Sequence, residues 1–400
     1  MFDLADRMKT IQPSPTLLLN TKATQLRAQG VDIINFSTGE PDFATPQWIQ
    51  EAAIQAMQQG LTKYTPTDGL PILKEAIQKK MRRDYDLDYD LDTITVGTGA
   101  KQIIFNAFLA SINPGDEVII PAPYWVSYPE IVNFCGGISI TVHCSMNNNF
   151  KITPNQLREN ITKRTRWVIL NSPNNPTGAV YSKEELFALS EVLMEESHVN
   201  ILSDDIYELL TYDETHFSSI VKIEPRLKFR TLIVNGVSKS YAMTGWRLGF
   251  GAGPADLIKA INMLQSQSTS NPCSITQGAA AAAFIGPQNF LFDWLRIYEE
   301  RRDVSFKIFS KTPGLNCLLP TGAFYHYINC EGIIGKKTPD GDILRTDKDI
   351  SFYLLEKAKV AVVSGNSFGL SPYFRMSYTC SIDVLKEGCQ RIYDAITALN

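Results

Sequence analysis

Between residues 93 and 251, short apolar runs of strand length alternate with helical stretches, and this alternation limits the possible folds more than any other feature of the chain. The runs are 93–97, 117–120, 138–142, 167–171, 199–203, 231–234 and 248–251, with helix-like segments such as 101–109 and 182–196 between them. Most are apolar nearly throughout, as strands buried on both faces are. The pattern predicts an α/β fold with a mostly parallel sheet covered on both sides by helices. Ahead of it, Thr45 is placed to cap a helix with Pro46 at its first position, and Gly60 to stop that helix. Past residue 287 the pattern changes to a long charged helix (293–311), an apolar stretch (323–328), a polar insertion through 336–341 and a final amphipathic helix from Ile382. Four hundred residues suffice for one large domain and a smaller one.

In an open parallel sheet, ligands bind outside the carboxyl ends of the strands, and the unusual residues of this chain fall there. Lys239 follows the run that begins at Thr231. A lysine that loses hydration in such a place is biased toward the neutral amine, which can attack a carbonyl. Arg247, with Ser238 beside the lysine, can grip a phosphate in the same crevice. Together they suggest an aldehyde cofactor that carries a phosphate. Gly97-Thr-Gly-Ala-Lys101 ends a strand and opens a helix, so its N–H groups also suit a phosphate. A dinucleotide could use the same loop, but Gln102 stands where the third glycine of that fingerprint belongs. Asp204 at a strand end requires a cationic partner if buried, and Arg375 in the apolar segment 373–377 requires an anion. Trp125 offers a ring for stacking, with ordinary packing as the alternative.

From Gly236 to Gly249 the run Gly-Val-Ser-Lys-Ser-Tyr-Ala-Met-Thr-Gly-Trp-Arg-Leu-Gly resembles, over fourteen positions, the cofactor-lysine signature of class I aminotransferases, which use pyridoxal 5'-phosphate (PLP). Lys63-Tyr64, Pro121-Ala-Pro-Tyr-Trp-Val-Ser-Tyr128, Asn171-Ser-Pro-Asn-Asn-Pro-Thr-Gly178, Ser203-Asp-Asp-Ile-Tyr-Glu208 and Tyr373-Phe-Arg-Met-Ser377 extend the resemblance along nearly the whole chain. It implies the type I PLP-dependent transferase fold, with a large domain and a smaller α+β domain built from both termini. The division expected is an arm and part of the small domain at 1–44, the PLP-binding domain at 45–286 and the rest of the small domain at 287–400.

The same resemblance assigns roles. Lys239 would hold the cofactor and shuttle a proton as acid and base. Asp204 would pair with the pyridinium nitrogen and so keep the ring an electron sink. Asp205 is its neighbouring rival, and the spacing to Tyr207 favours Asp204. Tyr207 and Asn175 would bond the phenolic oxygen, and Trp125 would stack on the ring. Ser238, Arg247, Gly99 and Ala100 would secure the phosphate, with Tyr64 arriving from a partner subunit; a homodimer with shared active sites is thereby implied. Arg375 would take the substrate's α-carboxylate, helped by the N–H of Gly39 in Gly39-Glu-Pro-Asp-Phe43, a loop that closes over substrate.

Pro13-Ser-Pro-Thr16, Lys101 and Tyr124-Trp-Val-Ser-Tyr128 are similar to the bacterial and plastid branch of aspartate aminotransferases, in which a lysine recognises the distal carboxylate. Ser266 stands where the other branch carries an arginine for that task. The implied activity is ping-pong transfer of an amino group between aspartate and 2-oxoglutarate, giving oxaloacetate and glutamate. Lys101, next to the phosphate loop, would bind the distal carboxylate with Ser14 and Thr16, unless it is merely a surface helix residue. Some members of the branch transaminate prephenate, which Thr16 and Lys101 also permit; an aromatic or other amino acid is a further alternative. A rival of another class is a PLP-fold regulator that senses an amino acid. Such proteins usually carry a DNA-binding segment, and none fits before Pro13.

Composition narrows the partners. A net charge of −4 without a basic block argues against nucleic acid and anionic membrane surfaces. Seven cysteines without a Cys-x-x-Cys pair suggest packing residues in a reducing compartment. The first residues contain acids and no long apolar core, so a cytoplasmic location is expected. The alanine-rich run 278–286 is too short to span a bilayer and predicts a closely packed helix. The four histidines show no ligand spacing, and no metal is expected.

Overall fold

The apolar runs become strands. In this computed structural model, which describes residues 2–9, 11 and 15–400 and only the backbone of residues 7 and 15–20, β1 (Ile34–Asn35) lies in the N-terminal segment. Then come β2 (Ile94–Gly97), β3 (Glu117–Ala122), β4 (Ile138–His143), β5 (Thr165–Asn171), β6 (Asn200–Asp204), β7 (Thr231–Gly236) and β8 (Gly249–Ala252). These seven form one sheet in the order β2-β8-β7-β6-β5-β3-β4. Neighbours run parallel except at β8, which is antiparallel to both β2 and β7.

Both faces of this sheet are covered over its inner strands, which is why those lack a polar side, whereas the edge strand β4 alternates apolar with polar residues and is largely exposed. Val168, Leu170 and Ile201 join one core cluster while Trp167, Ile169 and Leu202 join another, as the two-residue period of a strand demands. Helices Gln47–Gln58, Pro71–Lys80, Lys183–Glu195 and Ser274–Ile285 cover the first face, and Ala100–Ser111, Ser127–Phe134 and Ala255–Ser266 the second. The alanine-rich segment is the closely packed helix expected, since a Cβ on Gly278 would stand 3.0 Å from Ala56 Cβ.

Local signals account for several helix ends. Ser182 and Glu185 form a reciprocal capping box at the start of Lys183–Glu195. Gly60, at φ +79°, follows the last turn of Gln47–Gln58. The start of that helix differs from expectation: Pro46 is the cap residue, and no side chain caps the first turn. The Thr45 hydroxyl instead donates to Ala242 O (2.8 Å) and accepts from Trp246 Nε1 (3.1 Å). Those longer-range partners tie the helix start to the segment after Lys239.

The C-terminal third adds β9 (Asn316–Cys317), β10 (Tyr325–Asn329), β11 (Val360–Ala361), β12 (Val363–Ser364) and β13 (Tyr373–Ser377). An antiparallel sheet runs β12-β13-β10-β9, while β11 pairs in parallel with β1. The Phe36 N–H donates to Ala361 O and the Ser377 N–H to Phe36 O, each at 2.9 Å. The N-terminal segment is thus stitched into the C-terminal third. Helices Phe290–Phe309 and Ile382–Thr397 pack on this sheet, and their apolar faces share a core with Ile34 and Phe36.

Candidate active site

A cavity of about 410 Å³ opens at the carboxyl ends of β5, β6 and β7, closed on one side by β10, β13 and the loop after β1. Strand ends deliver its reactive side chains because a parallel sheet aims all of its C-terminal loops at one edge. Lys239, Asp204, Tyr207, Asn175 and Ser238 reach it from the central sheet. Arg375 reaches it from β13 and Gly39 from the N-terminal segment.

Lys239 donates from Nζ to Gly39 O at 2.6 Å, and its ammonium lies 5.9 Å from the Tyr207 ring centre. Burial pulls its pKa down to about 8; Arg375 and Arg247 push the same way, against Glu40 and Asp204. Asp204 is buried, with Tyr128 Oη donating to Oδ2 at 2.5 Å and the Ile206 N–H to Oδ1 at 3.4 Å. Burial pushes its carboxyl up to about 6, with Tyr128, Ile206 and Lys239 opposing. Asp205, the neighbouring candidate, does not line the cavity; its Oδ1 accepts from Ser203 Oγ at 2.7 Å on the far side of the turn.

Arg375 is an isolated buried cation. It is 3% exposed, and its planar head lies 4.6 Å from the Tyr325 ring centre and 4.9 Å from that of Phe368. Nη1 donates to Asn175 Oδ1 (2.8 Å) and Nη2 to Ser37 O (2.6 Å), whereas Nε is buried without a partner. No carboxylate pairs with it among the described residues, so the site holds positive charge in reserve for an anion. Because Asn175 Oδ1 is engaged, its Nδ2 remains for another acceptor.

The helix Ala100–Ser111 starts at the cavity rim with no side-chain cap. Gly99, its N-cap residue, has φ +83°, and a Cβ there would strike the Arg247 guanidinium. A Cβ on Gly249 would run into the Ala100 backbone. Two glycines therefore let uncapped N–H groups, Arg247 and the Ser238 hydroxyl share one place, an arrangement suited to a phosphate. Arg247 Nη1 donates to Thr244 O at 2.8 Å. Lys101 Nζ sits 4.7 Å from the Trp125 ring centre, and Trp125 meets Tyr128 edge to face at 5.3 Å. Burial, and then Arg247, lower the Lys101 pKa.

An expected site residue, Tyr64, does not line the cavity. Tyr64 is 91% exposed on the surface of the chain. Ser14 falls outside the described residues, as does the side chain of Thr16. Conversely, Tyr325 and Asn171 line the cavity without having been singled out. Tyr325 Oη bonds Tyr207 Oη at 2.7 Å, and Asn171 orders the loop through Nδ2 to Asp204 O (2.8 Å) and Oδ1 from the Asn175 N–H (3.0 Å). The position of Asn171 at a strand end was a usable signal; Tyr325 carried none, since its partner is 118 residues away.

The family described as "Aminotransferase class I and II" matches residues 31–392. The chain belongs to that family. This aminotransferase is 49% identical over 399 residues to an aspartate aminotransferase of Rhizobium meliloti, covering 100% of the chain and 97% of the relative. It is 50% identical over 389 residues to an aspartate/prephenate aminotransferase of Cereibacter sphaeroides, covering 97% of each. The crystal structure of the R. meliloti aspartate aminotransferase superposes with a TM-score of 0.98 at 48% identity over all of both chains. An aspartate aminotransferase of Thermus thermophilus with maleate gives 0.92 at 40% identity, covering 99% and 100%. The aminotransferase thus has the type I PLP-dependent transferase fold expected from its motifs. Among its described residues there is no cluster fit to hold a metal ion, and no helix is long and apolar enough to cross a membrane.

Proposed function

We propose that the protein is a PLP-dependent aspartate aminotransferase acting between aspartate and 2-oxoglutarate, and that the site residues hold the roles their motifs imply. The observation that carries this reading is the meeting, in one cavity, of a depressed lysine, a buried carboxylate and a buried arginine without a counter-ion. The residues fit PLP. Asp204 would hold the ring nitrogen, Tyr207 and Asn175 Nδ2 the phenolic oxygen, and Trp125 the ring face. The phosphate would lie among Gly99, Ala100, Ser238 and Arg247, joined by Tyr64 of a second copy of the chain. The exposure of Tyr64 supports that last role, and with it a homodimer.

When bound, PLP supplies an aldehyde carbon and an electron-withdrawing ring. Lys239, whose pKa burial draws down toward neutrality, would accept and return the proton at the substrate's Cα through Nζ. Arg375 orients the α-carboxylate by its guanidinium, with the Gly39 N–H beside it, and Lys101 takes the distal carboxylate together with Ser14 and Thr16. Prephenate is a second acceptor to consider, because relatives near 50% identity carry both substrates in their names. The small domain at 1–44 and 287–400 and the large one at 45–286 remain our division of the chain, supported by the pairing of β1 with β11.

A visible spectrum of the purified protein with added PLP, before and after aspartate, tests the reading. A yellow band that aspartate bleaches is expected, and Lys239→Ala should abolish the band while leaving the protein folded, as its circular dichroism would show. Protein that stays colourless in excess PLP would end the proposal. Initial rates with oxaloacetate and with prephenate as amino acceptors separate the two substrate readings; a strong prephenate preference would make prephenate the principal acceptor and displace the aspartate reading.

A further inference from the structure

The turn after β6 has two sides. Asp204 and Tyr207 face the cavity, whereas Asp205 and Glu208 face the helices on the opposite side of the sheet. Strand alternation separates 204 from 205, and a turn closed by the Glu208 N–H on Asp205 O (3.0 Å) brings 205 and 208 together. There Glu208 meets Lys80, whose Nζ lies 2.5 Å from Glu208 Oε1 and 2.7 Å from Asp84 Oδ2, wholly buried. A widened π-type turn, Met81–Tyr85, follows Lys80 and sets Asp84 and Tyr85 beside it. Tyr85 Oη accepts from Asn235 Nδ2 (2.7 Å) on β7, four residues before Lys239. Asn235 Oδ1 accepts in turn from the Gly236 N–H (2.6 Å). One buried polar cluster therefore grips, from behind, both segments that carry the reactive side chains.

Stability alone is a poor reason for such a cluster, because apolar residues of similar volume commonly serve as well as a buried ion pair. Its composition is also unbalanced. Asp84 and Glu208 share the Lys80 ammonium, Arg83 pairs with Asp84, and Asp205 Oδ2 and Glu208 Oε2, both buried, have no hydrogen-bond partner. Burial alone would lower the Lys80 pKa, but Glu208, Tyr241 and Asp84 outweigh it and hold the ammonium charged. Burial also keeps the Asp205 carboxyl well above the usual range.

We propose that Lys80, through its ion pair with Glu208, is a positioning residue that fixes the 204–208 turn so that Asp204 and Tyr207 keep their places around the cofactor ring; this rests on the PLP-dependent reading above. Without the ammonium, the Glu208 carboxylate is left without a cation beside Asp205 where water does not reach, and the turn is the element able to relax. A shift of about an ångström among reacting groups costs on the order of a hundredfold in rate. Arg375 stands on a different sheet, so carboxylate binding, and with it KM, should change little.

Lys80→Met removes the charge, and the double variant Lys80→Met/Glu208→Gln also removes the carboxylate that would be stranded. Urea midpoint, the pH midpoint of the visible PLP band, kcat and KM for aspartate are compared between the wild-type holoenzyme and the double variant. The expected result is a urea midpoint close to the parent, a pH midpoint displaced by roughly half a unit or more, and kcat lowered about tenfold or more with KM within about twofold. An equally stable double variant with unchanged pH midpoint and kcat overturns the proposal. Glu208→Gln alone leaves Lys80 paired with Asp84 and decides the matter if the double variant unfolds: a displaced band supports the role of Lys80, and an unmoved one overturns it. A wild-type protein lacking the band defeats the PLP reading itself, which is distinct from a normal wild type with wild-type-like variants.

Discussion

Asp204 shows how one side chain can be placed at the expense of stability. Its carboxyl titrates near 6 rather than near 4, so between those values the folded, cofactor-free protein binds a proton that the unfolded chain has released. Stability from this group therefore falls as pH rises through that window, and above about pH 6 the ionised carboxylate costs on the order of 2–3 kcal/mol. Asp204→Asn should make the cofactor-free protein more stable at pH 7 by about 1–3 kcal/mol, with the gain shrinking toward pH 4, as urea titrations at several pH values would show; an equal or lower midpoint at pH 7 contradicts the assignment. Lys239 contributes with the opposite sign: below about pH 8 its charged form is penalised, and stability should rise between pH 8 and the ordinary lysine range. Arg375→Ala removes the cation reserved for an anion, a loss on the order of 3–5 kcal/mol, so kcat/KM for aspartate should fall at least about a hundredfold. Arg375→Lys should recover little, because an ammonium cannot reproduce the planar fork held between Tyr325 and Phe368. A decrease of only a few-fold in steady-state assays would remove Arg375 from carboxylate recognition.

Among elements, the start of helix Ala100–Ser111 matters most to the site, since the backbones of Gly99-Ala100 and Gly249 meet where side chains larger than hydrogen do not fit. Gly99→Ala adds a methyl group at φ +83° against Arg247, and PLP affinity should drop by about tenfold or more in absorbance titrations. Unchanged affinity would mean that this cradle is not the phosphate site. The capping box of Lys183–Glu195 provides the contrast. Ser182→Ala should cost about 1 kcal/mol in a urea melt without altering kcat/KM, because that helix start lies away from the cavity. Both helices were legible in the sequence, one as a helix-like stretch at 182–196 and the other from glycines at a strand end, while the capping box of the first emerged only in the structure. Thr45 was misread because its hydroxyl has partners far along the chain, at Ala242 and Trp246.

For the whole molecule, the shared-site reading makes a test on mixtures. Subunits with Tyr64→Ala and subunits with Lys239→Ala, mixed and allowed to exchange, should form hybrids in which one site regains both side chains. PLP affinity at that site should recover to that of the parent, measured by absorbance, and its absence would argue against a shared site. Such hybrids depend on contacts between copies, which no pattern within one chain displays. The sequence by itself determined the sheet and most of the reactive inventory. Buried parallel strands must be apolar throughout, their C-terminal loops must open on one edge, and Asp204 closes a strand there while Lys239, Asn175 and Arg247 stand in the loops. Only the tertiary structure decided that β8 runs against its neighbours, that Tyr325 bonds Tyr207, and that Lys80 reaches Glu208 beneath the turn. The two side-chain contacts join residues 118 and 128 positions apart, and the close packing of a folded interior selects them where propensity and periodicity, which act over a few residues, cannot.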